Sequence, residues 1–161
     1  MTQTRVFIHG LESSSRGTKG TFFRERYPGM IIEDYAGPFS RRMERLEGFL
    51  AKKNDLILVG SSYGGLMAAV YACLHEEHVN KLILLAPALH LEPYEPFHEK
   101  PLRMPITIFH GLEDEVVPLE KVRAVAQRLF LDLKFNAVED DHSLHKTFPI
   151  LDWDMLLSIK S

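Results

Sequence analysis

The sequence is poor in the features that mark several specialised classes of protein. Only one of its 161 residues is a cysteine, Cys73, so an intramolecular disulfide is impossible. No apolar run approaches the ~20 residues of a membrane span, and the apolar run near the first residue is too short for a signal peptide. The formal net charge is -3, without a basic block or an acidic tail, which gives no sign of nucleic-acid or membrane binding. We therefore expect a soluble, cytoplasmic protein.

Signals for nucleotides, metals and internal repeats are missing as well. Neither G-x-x-x-x-G-K-[ST] nor G-x-G-x-x-G occurs, so nucleotide binding has no support. His75 and His78, like His142 and His145, are spaced as two metal ligands on a helix could be. No cysteine or carboxylate cluster completes either pair. We expect no metal, no cofactor, and a single domain over residues 1–161.

What the chain does contain is an alternation of short apolar, β-branched runs with longer helix-like segments. Such an alternation is typical of a parallel sheet covered by helices. Ser40 is the expected cap of the second helix. The strands are predicted at 5–9, 30–35, 55–59, 81–85, 105–109 and 133–138, and the helices at 18–27, 40–53, 62–76, 119–131 and 147–158. The order predicts a three-layer α/β/α sandwich around a mostly parallel sheet of about six strands.

The strongest local motif is Gly60-Ser61-Ser62-Tyr63-Gly64, a G-x-S-x-G between a predicted strand and a predicted helix. A serine at such a turn sits in strained backbone and projects its hydroxyl from the sheet. The two glycines lie where strand and helix nearly touch and a side chain would clash. The motif predicts Ser62 as a nucleophile, against the alternative of a glycine-rich turn without chemistry. A nucleophilic serine also needs a base and a third group that orients the base.

Three further segments make the chain resemble a minimal α/β-hydrolase, a bacterial-type serine esterase without a cap domain. His9-Gly10 ends the first strand, where the family has its oxyanion loop, and residues 110–118 are similar to the stretch that carries the acid, here Asp114. His142 follows the last predicted strand, where the family has its histidine. The resemblance starts at the strand before the oxyanion loop, so the family's first antiparallel strands are not expected.

The resemblance implies a role for each of these residues. His142 would take the proton of Ser62 and return it to the leaving group, while Asp114 would hold the imidazole in the right tautomer. The oxyanion would be bound by the backbone N–H groups of Leu11 and Tyr63. Tyr63 begins a helix, where N–H groups lack partners and the helix dipole is positive.

Other residues compete for these roles. Glu113, Glu115, Asp140 and Asp141 are also acids near the expected position, and the last two are interpreted as solvated loop charges. His145 is the rival base, although a surface position is expected for it. Many family members have a glycine shortly before the histidine, whereas residues 139–142 read Glu-Asp-Asp-His. His9 and His110 are interpreted as structural or supporting residues.

The expected activity is hydrolysis of small-molecule carboxylic esters or thioesters with short to medium acyl chains, through an acyl-enzyme on Ser62. The alternatives are an acyltransferase with the same triad and a catalytically silent binding protein of the same fold. Residues 87–104 contain four prolines and form a short loop in place of a cap. Its larger apolar residues either line an acyl pocket or pack the loop onto the body: Leu89, Leu91, Tyr94 and Phe97.

Overall fold

The computed structural model describes residues 3–159, in which six strands alternate with helices. The strands are β1 (Thr4–Ile8), β2 (Ile31–Ile32), β3 (Leu56–Ser61), β4 (Val79–Leu85), β5 (Leu102–Gly111) and β6 (Phe130–Val138). The helices are α1 (Thr18–Arg26), α2 (Phe39–Leu50), α3 (Tyr63–Leu74), α4 (Leu119–Leu129) and α5 (Trp153–Leu156). None of the helices in this range is both long and apolar enough to cross a membrane.

The strands form one sheet in the order β2-β1-β3-β4-β5-β6, and every pairing is parallel. The chain runs outward from β1 to β2 and then returns to place β3 on the other side of β1. The order therefore reverses between β1 and β3, and ligands bind at such switch points, beyond the carboxyl ends of the strands. Ile8 pairs with Gly60 at this end, so the segments after β1 and β3 are neighbours.

The sheet is buried on both faces, as β3 illustrates. Leu56 and Leu58 belong to a core that includes the buried apolar side chains of α2, α3 and α4. Ile57 and Val59 belong to a second core with Phe23 of α1 and aromatic residues from the end of the chain. Alternate residues of a strand point to opposite faces, so an entirely apolar strand indicates helices on both sides. The predicted three-layer sandwich is confirmed.

The predicted helix over residues 147–158 is wrong. A 3-10 turn at Phe148–Ile150 is followed by extended backbone at Leu151, and α5 begins only at Trp153. Asp152 explains the break, because its side chain accepts the N–H of Met155 at 3.2 Å and so caps a new helix. The break lets the Trp153 indole donate to the Phe148 carbonyl at 3.0 Å within the second core.

Two predictions near α2 also need correction. Ser40 is not the cap, because the helix begins at Phe39 and the cap position belongs to Pro38, whose carbonyl accepts the N–H groups of Arg41 and Arg42. Proline suits the cap position because its backbone is extended there and the helix does not use the N–H group that proline lacks. The strand predicted at 30–35 shortens to the two residues of β2, an edge strand that pairs only with β1.

Residues 87–104 are more ordered than a plain loop. They include a 3-10 helix at Glu92–Phe97, and β5 already begins at Leu102 rather than at Pro105. Leu89 and Tyr94 have no exposed surface and lie in the core that contains α3. The segment is thus anchored to the body of the protein by its apolar side chains.

Candidate active site

Ser62 lies in a sharp turn between β3 and α3, with φ 55° and ψ -115°. A non-glycine residue rarely adopts a positive φ, and such strain is found mainly at functional sites. A Cβ on Gly60 would collide with the carbonyl of Gly64, and one on Gly64 would collide with the carbonyl of Ile8. The turn therefore requires glycine at both positions, for the steric reason that the motif suggested.

A continuous chain of hydrogen bonds links Ser62, His142 and Asp114. Nε2 of His142 lies 3.0 Å from Oγ of Ser62, and Nδ1 lies 2.7 Å from Oδ2 of Asp114. An ionised carboxylate can only accept, so Nδ1 carries the proton and Nε2 is left free to accept the serine hydroxyl. The fold thus brings together three residues from the ends of different strands, in the arrangement that an activated serine needs.

The carboxylate of Asp114 is fully buried and fully partnered. Its Oδ1 accepts the N–H groups of Val116 and Val117, each at 2.8 Å. His110, also fully buried, places Nε2 3.3 Å from Oδ2 of Asp114 and 3.0 Å from the carbonyl of Val117. Burial lowers the pKa of His110, so the ring is neutral and its Nε2–H faces these two acceptors. The buried His110 ring therefore packs against the Asp114 carboxylate. The side chains of Glu113 and Glu115, by contrast, are exposed.

The segment after β1 packs directly against the serine turn. A Cβ on Gly10 would lie 3.3 Å from Cβ of Ser62, so the two backbones are nearly in contact. The ring of His9 fixes this segment, because Nδ1 donates to the Gly10 carbonyl at 2.6 Å and Nε2 accepts the N–H of Tyr35 at 3.0 Å. Within residues 3–159, the backbone N–H groups of Leu11 and Tyr63 have no protein acceptor. Both groups are available to bind a negatively charged oxygen.

Tyr63 is held in place by a buried cation that the sequence did not reveal. The Arg42 guanidinium lies 5.4 Å from the centre of the Tyr63 ring, and its Nε donates to the Gly37 carbonyl at 2.8 Å. Phe39 meets the same ring edge-on at 5.8 Å. The residue that follows Ser62 is therefore packed on two sides by the start of α2. Arg42 carries no motif, so only the tertiary structure identifies it.

The interpretation of Asp140 as a solvated charge is wrong. Asp140 is 2% exposed, and its carboxylate accepts the N–H groups of Asp141 at 2.8 Å, Lys146 at 3.0 Å and Thr147 at 2.7 Å. Burial acts to raise the pKa of Asp140, but these backbone hydrogen bonds outweigh it and hold the pKa below its usual value. The signal in the sequence was an aspartate at the start of a tight turn, a position where such side chains cap backbone N–H groups.

His145, the rival base, is paired with a different acid. Its Nδ1 lies 2.7 Å from Oδ2 of Asp141, and both side chains are exposed. The hydrogen bond to His145 lowers the pKa of Asp141 to about 2. His145 makes no hydrogen bond to Ser62, whose hydroxyl faces His142.

The remaining histidines with ligand spacing have carboxylate partners of their own. His75 lies 2.8 Å from the Glu47 carboxylate, and His78 lies 3.4 Å from that of Glu77. In the part of the chain that the structure describes, no group of three or more histidine, cysteine, aspartate or glutamate side chains is placed to hold a metal ion.

Comparison with known proteins identifies the fold. A family model described as the alpha/beta hydrolase fold matches residues 50–101, which include the serine turn. A hydrolase of the alpha/beta superfamily from Oenococcus oeni PSU-1 superposes with a TM-score of 0.78 at 15% identity, covering 100% of this chain and 94% of that one. The mouse alpha/beta hydrolase domain-containing protein 10 superposes with a TM-score of 0.74 at 22% identity, covering 99% and 87%. The protein therefore has the α/β-hydrolase fold.

One curated relative, a probable 1-acylglycerol-3-phosphate O-acyltransferase from rice (Oryza sativa subsp. japonica), is 32% identical over 108 residues. The match covers 53% of this chain and 25% of the relative, so the chain spans about a quarter of the length of that protein. The structural likenesses lie below 25% identity and define the fold rather than the reaction.

Proposed function

We propose that this protein is a serine hydrolase that cleaves carboxylic esters or thioesters of small molecules through an acyl-enzyme on Ser62. The observation that carries the proposal is the hydrogen-bonded chain from Ser62 Oγ through His142 to the buried Asp114. A fold of this class supports many reactions, so the chemistry is argued from the site. The proposal includes a cytoplasmic location and one hydrolase domain over residues 1–161, both of which rest on the sequence.

The first half of the reaction would form the acyl-enzyme. Oγ of Ser62 attacks the carbonyl carbon while Nε2 of His142 takes the hydroxyl proton. The carbonyl oxygen becomes an oxyanion that accepts the N–H groups of Leu11 and Tyr63. When the carbon–oxygen or carbon–sulfur bond breaks, His142 gives its proton to the leaving alcohol or thiol. Asp114 stabilises the imidazolium without taking a proton itself.

The second half would repeat these steps with water. His142 removes a proton from water, and the hydroxide attacks the acyl carbon at the same oxyanion site. The tetrahedral intermediate then collapses, the bond to Ser62 Oγ breaks, and the serine recovers its proton from His142. The carboxylic acid leaves, and each group returns to its starting protonation state.

The proposed substrates have short to medium acyl chains, because few side chains are available to enclose a longer one. Of the four residues considered for a pocket wall, Leu89 and Tyr94 are buried in the core and offer no open surface. Leu91 and Phe97 are only partly buried and pack against that core, so they remain candidates for contact with the substrate. Apolar side chains of this kind line most ligand sites.

An acyltransferase is the second candidate, and the name of the rice relative is what favours it. The acyl-enzyme would be the same, but an alcohol or amine would replace water in the second half. Product analysis with added acceptors, such as glycerol or an amine, distinguishes the two. If the main product is an acyl ester or amide of the acceptor, the protein is an acyltransferase rather than a hydrolase.

The proposal is tested by substituting Ser62→Ala and assaying a panel of p-nitrophenyl esters and acyl thioesters. Removal of the nucleophile in well-studied serine hydrolases lowers kcat by on the order of 10⁴–10⁶, and a similar loss is expected here.

A fluorophosphonate probe should label the wild type on Ser62 and leave the variant unlabelled. Ser61→Ala, one position earlier, is the control and should stay active. More than a tenth of wild-type activity in Ser62→Ala would contradict the proposal, as would a catalytically silent wild type.

A further inference from the structure

Two loops at the carboxyl ends of β5 and β6 carry the partners of Ser62. We define the acid loop as residues 111–118, which contain Asp114, and the histidine loop as residues 139–147, which contain His142. The hydrogen bond between these two residues needs the loops to keep a fixed separation, because catalytic groups work only within a fraction of an ångström of their best geometry.

Asp140 is bonded to both loops at once. Its backbone carbonyl accepts the N–H of Glu113 at 3.0 Å, which ties it to the acid loop one residue before Asp114. Gly111 makes the approach possible, since a Cβ there would collide with the carbonyl of Asp140. The carboxylate meanwhile accepts N–H groups from both ends of the histidine loop, those of Asp141 and Thr147. One residue thus closes the turn that carries His142 and fixes that turn against the acid loop.

The rest of the histidine loop is anchored in ways consistent with this role. Leu144 adopts a positive φ of 56° with its side chain fully buried in the second core. Nζ of Lys19, on α1, donates to the carbonyl of Ser143 at 2.7 Å. A strained backbone persists only where its surroundings hold it. The three carboxylate bonds of Asp140 are among the contacts that hold this strained loop.

We infer that Asp140 is a positioning residue, which sets the distance between His142 and Asp114 by holding the histidine loop against the acid loop. The inference rests on the proposed function, since it concerns the geometry of the same site. Asp140 makes no hydrogen bond to Ser62 or His142, so it acts on the reaction through the backbone alone.

The test replaces Asp140 with asparagine, which keeps the size of the side chain. Asparagine has one acceptor oxygen, so it must lose either the Asp141 bond or the Lys146 and Thr147 bonds, and its NH₂ group then faces a donor. We expect kcat for a p-nitrophenyl ester to fall roughly 10–100-fold with KM within about threefold, as for a misplacement near 1 Å. The matched control is Asp141→Asn, an exposed neighbour whose activity should stay within about twofold of wild type.

Temperature separates positioning from general loss of stability. A misplaced His142 lowers kcat at every temperature, whereas partial unfolding lowers it only near the melting transition. Asp140→Ser, which is smaller and keeps one acceptor, should lower kcat in the same way. Thermal melting of both variants confirms that they are folded at the assay temperature.

Each outcome has a distinct meaning. If Ser62→Ala retains activity, the proposed function fails whatever Asp140 does. If Ser62→Ala is inactive and Asp140→Asn matches wild type in kcat well below its melting transition, only the inference about Asp140 fails. If both Asp140 variants are unfolded at the assay temperature, Asp140 is a folding residue and the inference is overturned.

Discussion

At the scale of single residues, the two oxygens of Asp114 have different tasks. Oδ1 accepts two backbone N–H groups from its own loop, whereas Oδ2 faces Nδ1 of His142. The first contact fixes the Asp114 side chain, and the second fixes the tautomer of His142. A carboxylate is the only side-chain group that accepts at both oxygens, so no neutral isostere serves both tasks.

The residue-scale prediction compares Asp114→Asn with Glu113→Gln. The amide oxygen would keep the bonds to Val116 and Val117, which points the NH₂ group at His142. Nδ1 must then accept, so Nε2 carries the proton and cannot receive the one on Ser62. We expect kcat/KM for a p-nitrophenyl ester to fall by up to ~10⁴, as in a related triad, while Glu113→Gln changes little.

Equal losses in Asp114→Asn and Glu113→Gln would remove the assignment of Asp114 as the orienting acid. Glu113 is a fair control because it is the adjacent acid in the same loop and its side chain is exposed. Circular dichroism of both variants checks that the comparison is made between folded proteins.

At the scale of elements, the contact between β1, β3 and α3 decides where Ser62 lies. The Gly64 backbone, on the first turn of α3, approaches the carbonyl of Ile8 at the end of β1 so closely that no side chain fits. Small residues continue along the helix at Gly65, Ala68, Ala69 and Ala72, all of them buried. The helix therefore lies close to the sheet, and its free N-terminal N–H groups remain next to Ser62.

The element-scale prediction is that Gly64→Ala both destabilises and inactivates the protein. The added methyl group must push β1 and α3 apart, at a cost of about 1–3 kcal/mol or more, and the resulting shift of Ser62 should lower kcat at least 100-fold. Chemical denaturation and ester hydrolysis measure the two effects.

Gly48→Ala is the matched control for this change. Gly48 lies on the exposed face of α2 with nothing within 4 Å of an added Cβ. Alanine should raise the free energy of unfolding there by roughly 0.5–1 kcal/mol and leave activity unchanged. A Gly64→Ala variant as stable and active as Gly48→Ala would mean that the tight approach is not needed.

At the scale of the whole molecule, the connection between β4 and β5 limits what the site can enclose. Residues 87–104 fold back onto α3 through buried Leu89 and Tyr94, and the Tyr94 hydroxyl lies 3.6 Å from Sγ of Cys73. A segment held this way forms part of the body and has few side chains left to cover a long acyl chain.

The whole-molecule prediction is that kcat/KM stops rising at medium acyl length. Each methylene taken from water contributes ~0.8 kcal/mol, so the rate constant should rise only while the added carbons still reach protein surface. A series of p-nitrophenyl esters from acetate to palmitate measures kcat/KM as a function of acyl length. The rate with Ser62→Ala is subtracted as background hydrolysis. A steady rise to palmitate, or a jump in rate above the micelle concentration, would reveal a longer groove or a mobile lid.

The local patterns of the sequence were enough for most of the fold. The alternation of apolar runs with helix-like segments predicted the parallel sheet, and the G-x-S-x-G between strand and helix predicted a strained turn at Ser62, where the structure has a positive φ. These features depend on residues close together in the chain, where backbone sterics and side-chain periodicity act directly. The boundaries at 147–158 were missed because two local signals, Pro149 and Asp152, compete with the helical pattern there.

Contacts between distant segments were decided only by the tertiary structure. The sequence predicted which side chains could form a site, and the fold placed them within hydrogen-bond distance of one another. The burial of His110 and Arg42 carries no local signature, because a charged or polar residue looks the same in a sequence whether water or protein groups surround it. Burial depends on what the rest of the chain packs around a residue, and that is settled only when the two faces of the sheet are covered.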